Sequence, residues 1–219
     1  MKERFIVTTE DGSNTIYIPE LNENYNSIHG SIQESSLIYL EYGLNYCSKE
    51  DINILEIGFG TGLNVFNTLL NTDKKIMYHS IELYPLMPEE YSKLNIPNFF
   101  DDNKSNLFID IHECDWNKIN LITDNFSLYK IHEDLLNVNL SSKYDVVYFD
   151  AFAPDIQPSL WTKEVFSKIY KSMNMGGVLT TYCVKGDVKR TLKECGFKIE
   201  KLKGPKGKRE ILRAVKEFE

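Results

Sequence analysis

Carboxylates and glycines recur in this chain where successive apolar runs end, a pattern suited to gripping a nucleoside. The run Glu56-Ile57-Gly58-Phe59-Gly60-Thr61-Gly62 joins a short apolar segment, 53–57, to a helix-compatible one, 63–70. Glycine takes positive φ freely and lets a ligand approach the backbone. A helix opening at such a loop offers free N–H groups and a positive dipole end. Glu82 closes the next apolar run, 26 residues after Glu56, where a carboxylate suits ribose hydroxyls. Asp134 follows a third run and reads either as an acceptor for an adenine amino group or as a helix cap. Asp150 ends the run 144–149 and leads into Ala151-Phe152-Ala153-Pro154, with Gln157, Pro158 and Trp161 beyond. Two prolines stiffen this acidic, aromatic loop. Its expected task is to position an amine and remove its proton, because an alkyl amine is mostly protonated at neutral pH.

The G-x-G-x-G spacing alone is close to the dinucleotide fingerprint. Glu56 tilts the choice: a carboxylate two residues before Gly58 repels a pyrophosphate and suits the cationic amino-acid end of S-adenosylmethionine. Glu82 serves either cofactor. Methyl transfer to nitrogen leads. A small-molecule amine transferase on the same fold, such as a polyamine aminopropyltransferase, and a dinucleotide-dependent oxidoreductase are the alternatives. A catalytically silent adaptor would leave Glu82 and Asp150 idle. His112-Glu113-Cys114-Asp115 gathers ligand types without the spacing of a zinc site, so no metal is expected. His79, Cys183 and Cys195 read as core residues.

These residues need elements to hold them. Residues 5–18 read as two short strands around Asp11-Gly12. Residues 25–46 carry apolar positions at helical spacing. Strands are expected at 53–57, 76–83, 107–111, 119–122, 126–131, 144–149, 178–184, 197–202 and 209–215. Helices are expected at 63–70, 87–94, 161–173 and 187–194. Gly176-Gly177 should end the third of these and Gly196 cap the fourth. Alternating strands and helices with a closing hairpin imply an α/β, Rossmann-like doubly wound, mostly parallel sheet ending in an antiparallel hairpin. With 219 residues, 42% hydrophobic, one domain can bury a sizeable core. Residues 1–46 would pack as an N-terminal hairpin and helix on a Rossmann-like unit at 47–219.

The net charge of −7 conceals an asymmetry. Residues 185–213 hold 11 Lys and Arg against 4 Asp and Glu, leaving the remainder strongly acidic. A basic region on an acidic body admits a nucleic-acid contact or a merely solvated face. No apolar stretch approaches a membrane span, and the four cysteines show no C-x-x-C pair. A reduced, cytoplasmic setting is expected.

The chain resembles the methyltransferase domain of the MnmC-like tRNA-modification enzymes, which also occurs alone. Five stretches carry the likeness: residues 9–13, 30–35, 56–64, 150–154 with Trp161, and 204–210 ending Lys208-Arg209-Glu210. The resemblance implies methylation by S-adenosylmethionine of the 5-aminomethyl group of a wobble uridine, usually 2-thiolated, in the tRNA anticodon loop. By the same resemblance Gly58, Gly60, Gly62 and Asn64 would border the methionine part, Glu82 the ribose and Asp134 the adenine. Gln33 and Glu34 would help close the pocket, and Asp150 would face the methyl and the amine. Phe152, Trp161 or Tyr182 would stack on a splayed-out base, and Lys206, Lys208 and Arg209 would meet phosphates. The family tends to place His-Ser after the tyrosine at position 25, where this chain has Asn26-Ser27. The bifunctional relatives also carry a flavin-dependent domain. This chain is expected to work without FAD and to receive the aminomethyl-uridine tRNA from another enzyme.

Overall fold

The computed structural model describes residues 3–100 and 104–217. A small antiparallel sheet comes first: β1 (Phe5–Thr8), β2 (Asn14–Ile18) and β3 (Glu23–Asn24). Its first turn is organised by Asp11, whose Oδ1 accepts from the Thr9 hydroxyl at 2.6 Å and the Ser13 N–H at 3.0 Å. Oδ2 of the same side chain accepts the N–H of Ile32 at 3.1 Å, satisfying an orphan donor at the start of α1 (Ser31–Ser35). The long helix expected over 25–46 is therefore shorter and segmented. Residues 25–30 are loop, α1 runs on into a π-helical turn at Ser36–Glu41, and a 3-10 turn follows at Leu44–Tyr46.

The central sheet begins with β4 (Asp51–Ile57), followed by α2 (Leu63–Leu70), β5 (Lys75–Glu82) and the short α3 (Pro88–Tyr91). The segment 107–111, expected as a strand, is instead part of α4 (Ser105–Glu113). Its apolar run masks a helical pattern: Phe108, Ile111 and His112 are buried at i, i+3 and i+4, and Asp110 faces water. Then come β6 (Ile119–Thr123), β7 (Phe126–His132), β8 (Tyr144–Phe149), α5 (Lys163–Ser172), β9 (Met173–Thr181), α6 (Gly186–Glu194), β10 (Lys198–Lys203) and β11 (Glu210–Val215). Gly176-Gly177 does not end α5. Thr162 caps its start, the helix stops at Ser172, and both glycines lie inside β9, where the register against β8 shifts. Gly176, at φ +77°, makes the irregularity and gives its N–H to the Lys216 carbonyl.

The sheet order is β10-β11-β9-β8-β4-β5-β7-β6. The five inner strands, β9 to β7, are parallel. β6 pairs antiparallel at one edge, and the β10–β11 hairpin does so at the other. The chain leaves β4 for β5 and β7 on one side and returns to β8 on the other. The crevice between β4 and β8 is thus the topological switch point, where open α/β sheets bind ligands. Two apolar clusters cover the sheet. One joins Tyr39, Phe66, Tyr78 and Tyr148 beneath α2 and α4; the other joins Phe149, Trp161, Phe166 and Leu192 beneath α5 and α6. Among the described residues no helix is long and apolar enough to cross a membrane.

Candidate active site

A cavity of about 1060 Å3 opens over the carboxyl ends of the parallel strands. Small-molecule sites commonly enclose roughly 300–1,000 Å3, so this one has room for a nucleoside cofactor and a second reactant. The sheet order sets the sequence of groups along its floor. Asp134 follows β7, Glu82 ends β5, the glycine loop follows β4, Asp150 follows β8, and Tyr182 follows β9. From the β7 position to the β8 position is three strand steps, about 14 Å.

The glycine loop is shaped for close approach. Gly58 has φ +92°, and a Cβ there would stand 2.8 Å from the Asp150 carbonyl oxygen, so only glycine lets the loops after β4 and β8 touch. The N–H of Gly60 donates to Oε2 of Glu82 at 3.1 Å, while Oε1 takes the N–H of Tyr84 at 2.8 Å. Each oxygen keeps a lone pair for a further donor. Gly62, left-handed, opens α2, and the Thr61 carbonyl accepts from Nε2 of His112 at 3.2 Å. Burial pushes the His112 pKa down to about 3, so the ring is a neutral brace under the loop. Among the described residues no three His, Cys, Asp or Glu side chains gather to hold a metal ion.

Asp134 combines both readings offered by its sequence position. Its Oδ1 accepts the N–H of Leu136 at 2.9 Å, a local cap, and its side chain also borders the cavity. Asp150 borders the cavity beside Asn64, whose Nδ2 donates to Oδ2 at 2.8 Å. Burial pushes the Asp150 pKa up to about 6, opposed by hydrogen bonding from Tyr39 and Asn64 and by the Lys208 charge, and reinforced by Glu34. The loop after it is held at successive residues. The Asp150 N–H meets the Ile57 carbonyl at 3.1 Å, the Tyr182 hydroxyl the Ala151 carbonyl at 2.8 Å, and the Trp161 indole N–H the Phe152 carbonyl at 2.8 Å.

Four expected contacts are not made, and the first is Gly62, which is turned toward His112 and Phe59 and does not border the cavity. Glu56 shares a face of β4 with Ile54, by strand alternation, so its side chain lies behind the cavity wall. It is fully buried, takes the Ser80 hydroxyl at 2.6 Å and is left with one unpartnered oxygen; burial holds its pKa well above the carboxylate range. Gln33 is exposed and turned away, one residue round the helix from Glu34, which is buried and borders the cavity. Trp161 is a core residue packed on Phe149 and Phe166, not a cavity surface.

Phe152, Tyr25, Tyr182 and Lys208 also line the cavity. Tyr25 meets Phe152 edge to face at 5.3 Å. Lys208 pairs with Glu34 and stands 4.6 Å over the Tyr182 ring. Lys206 is exposed and pairs with Glu10 at 2.9 Å, and Arg209 is exposed beside it on the hairpin turn. Sequence reasoning missed Tyr25 and Tyr39, which it placed within one continuous helix over 25–46 without giving either a role. It also missed the amides Asn67 and Asn71, although their spacing from Asn64 was visible.

A family model described as S-adenosyl-L-methionine-dependent methyltransferase matches residues 99–217. The "tRNA 5-methylaminomethyl-2-thiouridine biosynthesis bifunctional protein MnmC" of Campylobacter fetus subsp. fetus is 34% identical over 185 residues, covering 78% of this chain and 29% of the relative. Its counterpart in Magnetococcus marinus is 27% identical over 93% of this chain and 32% of the relative. The chain thus spans about a third or less of the curated relatives it matches. Among solved structures, MNMC2 from Aquifex aeolicus aligns with TM-score 0.76 and 25% identity, covering 98% of this chain and 71% of that one. Spermidine synthase from Thermotoga maritima aligns with TM-score 0.62 at 13% identity, over 98% and 73% of the two chains, a likeness of fold.

Proposed function

From the premise that this chain belongs to the S-adenosyl-L-methionine-dependent methyltransferase family, we propose that it methylates the 5-aminomethyl nitrogen of a wobble uridine in tRNA. The observation that carries this reading is Asp150, a carboxylate with pKa about 6 in a cavity lined also by the glycine loop, by Tyr25, Phe152 and Tyr182, and by Lys208. The tRNA assignment is supported by the relatives' stated role in 5-methylaminomethyl-2-thiouridine biosynthesis.

The residues present fit the cofactor: Gly58 and Gly60 border the cavity with no side chain to obstruct it, and Glu82 and Asp134 offer acceptors beyond them, in the order sulfonium side, ribose, adenine. When bound, S-adenosylmethionine supplies a methyl group made electrophilic by its sulfonium. Asp150, about nine-tenths ionised at pH 7 with a pKa near 6, accepts the proton of the substrate ammonium and leaves a lone pair on nitrogen. Asn64 orients the accepting oxygen. Phe152, with Tyr25 against its edge, offers an aromatic face to an unstacked base. Lys206, Lys208 and Arg209 meet the phosphates beyond, with Glu10 and Glu34 giving up the lysines they now hold.

The test is transfer of labelled methyl from S-adenosylmethionine to tRNA carrying 5-aminomethyluridine, followed by nucleoside digestion. Label in the wobble nucleoside is the expected result. No transfer, together with tight binding of NAD, overturns the reading.

A further inference from the structure

One face of α2 carries two amides, Asn64 and Asn67, at i and i+3, and a third, Asn71, follows exposed at the C-cap. Asn64 and Asn67 are 5% and 1% exposed. They form part of a continuous line of hydrogen bonds. Asn71 Nδ2 donates to Asn67 Oδ1 at 3.0 Å. Asn67 Nδ2 donates to the Ser35 hydroxyl oxygen at 3.1 Å. The Ser35 hydroxyl donates to Asn64 Oδ1 at 2.7 Å, and Asn64 Nδ2 donates to Asp150 Oδ2 at 2.8 Å. The second proton of the Asn67 amide is taken by Ser36 at 3.1 Å.

The direction of this line is fixed by its last member. An ionised carboxylate only accepts, so it compels Asn64 to present its NH2 group. Asn64 Oδ1 then faces Ser35 and can only accept, which commits the serine proton. The serine oxygen is left as an acceptor, matching the NH2 of Asn67, whose own oxygen takes Asn71. Every donor points toward Asp150. A proton on Oδ2 would set a donor against the last amide and require turning Asn64 against Ser35 and Ser35 against Asn67; a proton on Oδ1 leaves the chain in place but exchanges its charge-assisted last bond for a weaker neutral one. Buried hydrogen-bond chains polarise in one sense and resist such partial reversal.

We propose that Ser35 and Asn67 are positioning residues for Asp150, acting through Asn64 as a one-way donor chain that holds the carboxylate ionised and aimed into the cavity. The catalytic meaning of the chain rests on the amine-methylation reading; its effect on the carboxylate does not. Other groups face the same carboxylate and are left in place by the test. They are Glu34 from α1, the buried Tyr39 hydroxyl from the π-helical turn, Glu56 from β4, the buried Tyr78 from β5, Tyr182 after β9, and Lys208 from the hairpin.

The experiment is carboxyl-carbon NMR titration of Asp150 in the full chain without cofactor, the signal being assigned by its loss in Asp150→Asn. Ser35→Ala should raise the Asp150 midpoint, tightening proton binding about tenfold, as expected when a buried carboxylate loses an oriented donor. Asn67→Leu should raise it less, about threefold, because Ser35 keeps its proton but loses its polarising partner. Ser35→Thr, which retains the hydroxyl, should titrate with the wild type. Midpoints in Ser35→Ala and Asn67→Leu that match the wild type within about 0.2 pH units overturn the proposal. So does an unchanged midpoint in Asn67→Leu if Ser35→Ala does not fold. The acid limb of methyl transfer should move with the NMR midpoint. If the midpoint moves but no tRNA is methylated, the chain stands and the assigned substrate falls.

Discussion

Asp150→Asn is expected to abolish most methyl transfer while stabilising the folded chain at neutral pH. The raised pKa makes both effects follow from one group. Asp150 rises from the ordinary 3.8 to about 6 on folding. The folded chain then binds more protons than the unfolded one between about pH 4 and pH 6, so its stability falls as pH rises through that window. The penalty is absent below about pH 4 and complete above about pH 6. At 1.36 kcal/mol per pH unit it reaches about 3 kcal/mol as an upper bound. The amide variant escapes it, but faces Asn64 with a neutral group, at a cost of about 0.5–1.5 kcal/mol. The net expectation is a gain of about 1–2 kcal/mol at pH 7.5 and a loss of about 1 kcal/mol at pH 4. Denaturant unfolding of both proteins at the two pH values measures the difference. A variant destabilised equally at both would refute the claim that the carboxylate is held against its own solvation. Methyl transfer supplies the second reading. General-base groups contribute about 10²–10⁴-fold, and the wild-type rate should carry an acid limb centred near pH 6 that the variant lacks. A variant within tenfold of wild type, or one retaining that limb, removes Asp150 from proton transfer.

Four further outcomes follow from the same geometry. Glu82→Ala should weaken S-adenosylmethionine binding at least tenfold by calorimetry with little change in melting temperature, since the Gly60 and Tyr84 N–H groups deprived of their acceptor lie at a solvated cavity. Gly58→Ala combines positive φ with a backbone clash and should cost about 2–5 kcal/mol, read by denaturant unfolding. Trp161→Phe leaves the Phe152 carbonyl without its donor. It should lower stability by about 1–3 kcal/mol and reduce turnover, with RNA affinity unchanged. Reversing the charges of Lys206, Lys208 and Arg209 should weaken tRNA binding. It should also flatten the logarithmic salt dependence by about 0.7 for each phosphate of the single-stranded loop no longer neutralised, measured by filter binding across a salt series.

What the sequence disclosed was the sheet and the strand ends, because those signals are local. Apolar runs closed by Glu82, Asp134 and Asp150 place acceptors at the ligand edge of any doubly wound sheet, and all three side chains border the cavity. What it concealed depends on which way a side chain turns. Glu56 carries the right charge at the right position, yet period-two alternation sends it behind the wall, where Ser80 receives it. Residues 107–111 read as a strand because four of the five are apolar, and only their partners reveal that burial falls at helical spacing. The Tyr25–Tyr46 stretch was legible as amphipathic but not as broken, since its breaks answer to Asp11 capping Ile32 and to the π-helical turn that carries Tyr39 toward Asp150.

The amides of α2 show how such a signal can be recovered. A helix that follows a glycine loop in a Rossmann-like sheet packs one face into the core, so polar residues at i and i+3 on that face, here Asn64 and Asn67, must find buried partners. In isolation Asn67 is an indifferent helix residue. Once Asn64 is known to touch a carboxylate, the spacing of Asn67 demands a continuing line of donors. Ser35 supplies the hydroxyl that joins Asn67 to Asn64 in that line. A site residue and a fold residue are then the same kind of object: Ser35 ties α1 to α2, and by committing its proton it decides which way the amide beside the reacting group must face.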